Sequence, residues 1–170
     1  MMSLPNGKGG FTLVELVVVV ALVGIILTFS VPRFRKGIVS DGFRHATRYF
    51  MATIPALRDR AVREQKDYIL HIDIEANRLW ITSDGMTEEE ANKAAISSHI
   101  LAEDVSITAV EFPGVVPVTY GQVGIRIYRK GYSDKAIIRL SDQDDRQRSL
   151  LIEPFLQRVR LYDRVVEFPA

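Results

Sequence analysis

From Phe11 to Val31 the chain is almost continuously apolar, and Glu15 is the only ionisable side chain in that stretch. About 20 residues at 1.5 Å rise span roughly 30 Å, the thickness of a bilayer core. The run is rich in Val and Ile, which favour strands in soluble proteins, but a strand this long would have no polar face. The pattern predicts a membrane helix. Three plainer explanations stand beside a specialised role. A secretory signal peptide has an apolar region of only about 7–15 residues, although Thr28-Phe29-Ser30 approximates a small-x-small cleavage site. That reading would give a secreted β-rich binding protein starting at Val31. A single-span anchor fits the length, and a buried core helix fits it poorly.

Glu15 separates these readings. A carboxylate in a membrane segment costs about 2.5–3.5 kcal/mol at the centre and less near an end, which a plain anchor has no reason to carry. Were the chain to begin at Phe11, its α-amino group would be a cation at similar depth. In a packed array of such helices, Glu15 of one copy would pair with the Phe11 amine of the next. In low dielectric that pairing offsets desolvation and fixes the axial register.

The string Gly10-Phe11-Thr12-Leu13-Val14-Glu15, preceded by Lys8 and followed by the apolar run and Pro32, resembles the prepilin signature of type IV pilins and type II secretion pseudopilins. The resemblance implies cleavage between Gly10 and Phe11 by a membrane aspartyl prepilin peptidase, N-methylation of Phe11, and a leader that takes no part in the fold. Arg33, Arg35 and Lys36 follow the apolar run. By charge statistics alone they would place the C-terminal side in the cytoplasm, whereas the resemblance implies the opposite orientation.

Beyond the run the pattern stays helical to Lys66. Phe43, Thr47, Phe50, Ile54, Leu57 and Ala61 recur at three- and four-residue spacing and line one face. Gly42 and Pro55 are weak points, and Pro55 is expected to kink the helix or start a new turn. The segment 33–66 carries nine positive and three negative side chains. This reads as a solvated helix face, with anionic headgroups or acidic faces of neighbouring subunits as sharper alternatives.

After Lys66 short β-type runs begin. Tyr68–Asp73 and Arg78–Thr82 flank Ile74–Asn77 as a hairpin. Further strands are expected at 106–112, 124–128, 136–140, 149–152 and 158–162, and more weakly at 165–168. Asp84–Ala95 reads as a surface loop or a short helix with an acidic start. The runs ALRDRAVREQKDYILHIDIEANRLWI, IRIYRKGYSDKAIIRL and RSLLIEPFLQRVRLY are similar to the H-type minor pseudopilins and the related FimT-type minor pilins. The cysteine pair of many major pilins and the calcium loop of the major G-type pseudopilin are both missing, which favours a minor subunit.

Composition excludes several chemistries. With no cysteine there is no disulfide, thiolate metal site or cysteine nucleophile, and a net charge of +1 gives no global case for nucleic-acid binding. His45, His71 and His99 lack ligand spacing. Asp142, Asp144 and Glu153 fall on an EF-hand-like frame, but Arg146 and Gln147 stand where a ligand and a glycine belong. They read as a polar hairpin loop, and Glu88-Glu89-Glu90 as a helix N-terminal charge cluster. No metal and no cofactor is expected. Arg158, Arg160 and Arg164, with Tyr162 among them, form a basic-aromatic cluster. Gln157-Arg158-Val159-Arg160 resembles the Gly-Arg-x-Arg motif of DNA-binding FimT-type pilins, except that Gln157 replaces its glycine, so nucleic acid is disfavoured as a partner.

The combined expectation is an α+β chain: leader 1–10, transmembrane and filament-core helix 11–32, periplasmic helical stem 33–66, and an antiparallel β-rich domain 67–170. The resemblance implies a non-enzymatic minor pseudopilin of the bacterial inner membrane. Its partners would be the prepilin peptidase, other major and minor pseudopilins and exported proteins. A minor type IV pilin active in DNA uptake is the alternative.

Overall fold

The computed structural model describes residues 12–35 and 41–168, the side chains of 26–35 and 41 excepted. The chain divides into two units, Met1–Val39 and Ser40–Ala170. In the first, a single helix α1 runs Leu13–Arg35.

In the second unit, helix α2 spans Asp41–Glu64 and continues through Pro55 as one element, losing one main-chain bond there because proline has no N–H. The apolar stripe is buried from Phe43 through Phe50, Ile54 and Leu57 to Ala61. Burial of each large side chain contributes about 1.5–3 kcal/mol. Gly42 is no weak point: its N–H donates to the Asp104 carboxylate at 3.2 Å, and a Cβ there would collide with that carboxylate. At the other end Gln65 takes a left-handed backbone and the Lys66 N–H returns to the Ala61 carbonyl, the 6→1 bond that closes a helix in a Schellman motif.

Eight strands follow: β1 Tyr68–Asp73, β2 Arg78–Ser83, β3 His99–Ile100, β4 Val105–Glu111, β5 Gln122–Ile127, β6 Ala136–Asp142, β7 Gln147–Ile152 and β8 Arg160–Tyr162, with helix α3 Glu88–Ile96 between β2 and β3. They form two four-stranded sheets, ordered β3-β2-β1-β5 and β4-β6-β7-β8, and every pairing is antiparallel. The β1–β2 hairpin has the expected register, with His71 opposite Trp80 and Asp73 opposite Arg78. Tyr68, Leu70 and Ile72 point inward, as period-two alternation requires.

Two expectations need correction. Residues 165–168 are not a strand. They cover the second sheet, where the Val166 N–H donates to Ser149 Oγ at 3.2 Å and Lys135 lies over the Phe168 ring. Ile137 of β6 and Leu151 of β7 line a hollow together with Val166 and Phe168. The last strand is also shorter than 158–162, because Val159 turns into the core.

Asn77 joins the two sheets. Its Nδ2 donates to the Val105 carbonyl at 2.6 Å, its Oδ1 accepts the Ile107 N–H at 3.1 Å, and its φ is 52°. Alanine would lose both bonds and strain in the left-handed region. Asn77→Ala should therefore cost about 2–3 kcal/mol in urea unfolding of the globular unit, and Asn77→Gly, which fits the backbone, about 1–2 kcal/mol.

Candidate assembly site

The candidate site lies at the start of α1. Thr12 Oγ1 accepts the Glu15 N–H at 3.3 Å, and the Leu16 N–H donates to the Thr12 carbonyl at 3.2 Å. Thr12 thus caps the helix and sets Glu15 in its first turn, where the helix dipole favours a carboxylate. Gly10 and Phe11 lie outside the described residues. The apolar side chains from Leu13 to Ile25 are open on every side of the helix, from Leu13 at 80% exposure to Val23 at 47%. A helix apolar all round needs lipid or other helices around it. Among the described residues no helix is long and apolar enough to cross a membrane. The described side chains Leu13–Ile25 span about 20 Å of helix, and the sequence supplies further apolar residues up to Val31.

In the globular unit, Arg58 departs from the solvated stem face expected of its segment. It is 2% exposed. Its Nη2 donates to Ser133 Oγ at 2.7 Å and to the Glu153 carbonyl at 2.5 Å, and its Nη1 donates to the Leu156 carbonyl. No carboxylate meets it among the described residues, and burial lowers its pKa. The guanidinium remains charged at neutral pH, held by carbonyl and hydroxyl dipoles.

Arg158 and Arg160 are both exposed, with Val159 buried between them. Arg160 opens β8, an edge strand. Neither arginine joins an ion pair among the described residues.

The three histidines are dispersed. His71 stacks on Trp80 with ring centroids 5.0 Å apart, contacts Thr82 Oγ1 at 2.8 Å, and has its pKa lowered by burial. His99 stacks on Tyr49 and His45 is exposed. His71, Trp80 and Arg78 form one wall of an open cleft of about 470 Å³ beneath α3. Arg78 is committed to Asp73 there. The Ala76 N–H, followed by Arg78 and Gln122, holds the Asp73 carboxyl below its ordinary range.

Asp142 belongs to its own hairpin. Burial raises its pKa, but the Arg146 guanidinium at 2.6 Å and the N–H groups of Arg146 and Asp144 outweigh that and leave it lowered. Glu88–Glu90 begin α3, where Thr87 and Glu90 form a reciprocal capping box.

The family model for the prokaryotic N-terminal methylation motif matches residues 5–31, the segment that contains Gly10, Phe11, Glu15 and most of the apolar helix. In fold, the chain is similar to the crystal structure of the minor pseudopilin EpsH from the type II secretion system of Vibrio cholerae. That match has a TM-score of 0.52 and 15% identity over 73% of this chain and 95% of that one. The chain carries a type IV pilin-like N-terminus and the pseudopilin fold. A second structure of the Vibrio cholerae EpsH pseudopilin aligns with a TM-score of 0.48 and 15% identity, over 70% of this chain and 94% of that one. A search of curated proteins finds no match.

Sequence reasoning missed the roles of Thr12, Arg58 and Asn77. Thr12 and Glu15 have the Thr-x-x-Glu spacing of a capping box, which was legible. Arg58 stands four residues after Ile54 and three before Ala61, so the stripe already placed it on the buried face. Asn77 ends a hairpin turn, a position where asparagine tolerates the left-handed backbone.

Proposed function

We propose that this chain is a non-enzymatic minor pseudopilin of a type II secretion system. In this reading a prepilin peptidase cuts between Gly10 and Phe11, and Phe11 is N-methylated. Residues 11–32 anchor the chain in the inner membrane before packing in the filament core. The stem 33–66 and the domain 67–170 project into the periplasm and meet other pseudopilins and exported proteins. The carrying observation is an apolar helix, open on all sides, with one carboxylate in its first turn, inside a methylation motif. The likeness in fold to the minor pseudopilin EpsH supports the choice of machine.

Pairing of Glu15 with the Phe11 amine of a neighbour gives the test. Glu15→Leu leaves that amine buried without its counter-charge, a loss of about 2 kcal/mol or more. Cleavage after Gly10 should persist, while recovery in sheared filaments falls at least about tenfold. Filament recovery equal to that of the parent chain would remove Glu15 from assembly.

A further inference from the structure

The outer face of the first sheet carries a row of side chains with one place empty. Trp80 on β2 stands opposite His71 on β1, and His71 stands opposite Gly124 on β5. The two rings are nearly parallel, with centroids 5.0 Å apart, close to the spacing of about 4.8 Å between neighbouring strands. His71 turns one ring face to Trp80. On its other side the row reaches Gly124, which is exposed and has no side chain. The stack of flat side chains therefore stops one strand short of the sheet edge, since β5 is the edge strand.

This gap opens into the cleft beneath α3. Ala91 and Ala95, one turn apart on α3, line the cleft without filling it. Its volume of about 470 Å³ falls in the range of roughly 300–1,000 Å³ that small-molecule sites occupy. The lining is polar but carries no free charge. Among its described residues Arg78 is the one charged side chain, and the Asp73 carboxylate holds it through Nε and Nη2 at 3.3 and 3.1 Å. Arg126, the next outward residue on β5, pairs with Asp67. Burial keeps the His71 pKa below its ordinary value, so the ring is neutral at pH 7.

Hydrogen-bonding capacity is left over. The Asn92 carboxamide and the Ser83 hydroxyl line the cleft without a hydrogen bond among the described residues. His71 Nε2 meets Thr82, whereas its Nδ1 lies 4.0 Å from where a Cβ on Gly124 would stand and has no partner there. Gln122 borders the cleft on the β5 side.

A ligand for such a place is flat, uncharged and edged with hydroxyls. A charged ligand would leave water and meet no free counter-charge. A plain aromatic ring would stack on His71 but leave the amide and hydroxyls desolvated without partners. A pyranose with equatorial hydroxyls meets both demands. Its C–H face lies on an aromatic ring, and its hydroxyls donate to and accept from carboxamides.

We infer that this cleft binds a neutral oligosaccharide of equatorial pyranose rings, one seated over Gly124 against His71 and beside Gln122, the next reaching Asn92 and Ser83 under α3. The site belongs to the globular unit alone and stands whether or not the chain enters a filament.

Trp80 is the only tryptophan in the chain, so intrinsic fluorescence reports on this cleft directly. The full-length chain, in a zwitterionic detergent without sugar headgroups, is titrated with cellotriose and with tri-N-acetylchitotriose. The expected result is a saturable change with at least one of them below about 10 mM. Asn92→Ala, on the exposed surface of α3, should weaken binding about fivefold. His71→Ala should abolish it, and Arg63→Ala should leave it unchanged. Calorimetry on the same samples separates lost binding from lost signal. No saturable change with either trisaccharide, or equal affinity in the parent, Asn92→Ala and His71→Ala chains, would overturn the site. A response to N-acetyltyrosinamide with none to the sugars would also overturn it, and would make the gap a socket for a partner's aromatic side chain.

Discussion

Gly10→Val abolishes maturation. In the proposed processing the residue before the cut is Gly10, and without a Cβ its backbone can approach a peptidase more closely than any other residue's. A branched side chain there costs about 3 kcal/mol in the cleavage transition state, which slows the cut on the order of 100-fold. In cells containing the peptidase, the parent chain should be recovered ten residues shorter, starting at methylated Phe11. The valine variant should keep its leader. Retention has a second consequence. The new α-amino group never forms, so Glu15 has no cation to meet, and filament incorporation falls together with cleavage. Intact mass and the N-terminal peptide read the first effect, and sheared-filament recovery reads the second. A valine variant recovered at the mature mass in the parent proportion would refute the cleavage site.

Arg58→Ala gives the largest loss of stability expected in the globular unit. The guanidinium donates to Ser133 Oγ and to the carbonyls of Glu153 and Leu156. Removing it leaves these acceptors in a site where water is scarce, at about 1–3 kcal/mol for each acceptor left unsatisfied, and opens a cavity beneath the segment. Relief of the buried charge returns part of this. The net expected loss is about 3–4 kcal/mol in urea unfolding, or roughly 10 °C in Tm. Arg58→Lys recovers only part, because one ammonium cannot match a planar fork with two arms. Arg63→Ala, on the exposed face of the same helix, should stay within about 0.5 kcal/mol. Equal losses at the two positions would show that Arg58 does not hold the segment after β7.

Much of this molecule was legible along the chain because the relevant physics is local. The apolar run around Glu15, the three-and-four spacing from Phe43 to Ala61, and the alternation in Tyr68–Asp73 each depend on neighbours within a few residues. The helical stripe and the first hairpin were therefore placed closely, and the other main strands were recognised with edges shifted by one or two residues. The two-residue strand β3 was missed, since two residues carry no period. Residues 165–168 have strand composition but cover the second sheet instead of pairing with it, a choice made by the open face of β6 and β7 and not by propensity.

The sequence by itself determined which segments are apolar, helical and strand-forming, since charge, apolarity and period are properties of neighbouring residues. The tertiary structure alone decided that the strands divide into two sheets, that Asn77 joins them, and which carbonyls enclose Arg58 while Arg158 and Arg160 stay open. Those outcomes rest on contacts between residues 28 to 98 positions apart. In such contacts the burial of a charge depends on which carbonyls the fold brings to it, and no local pattern encodes that meeting.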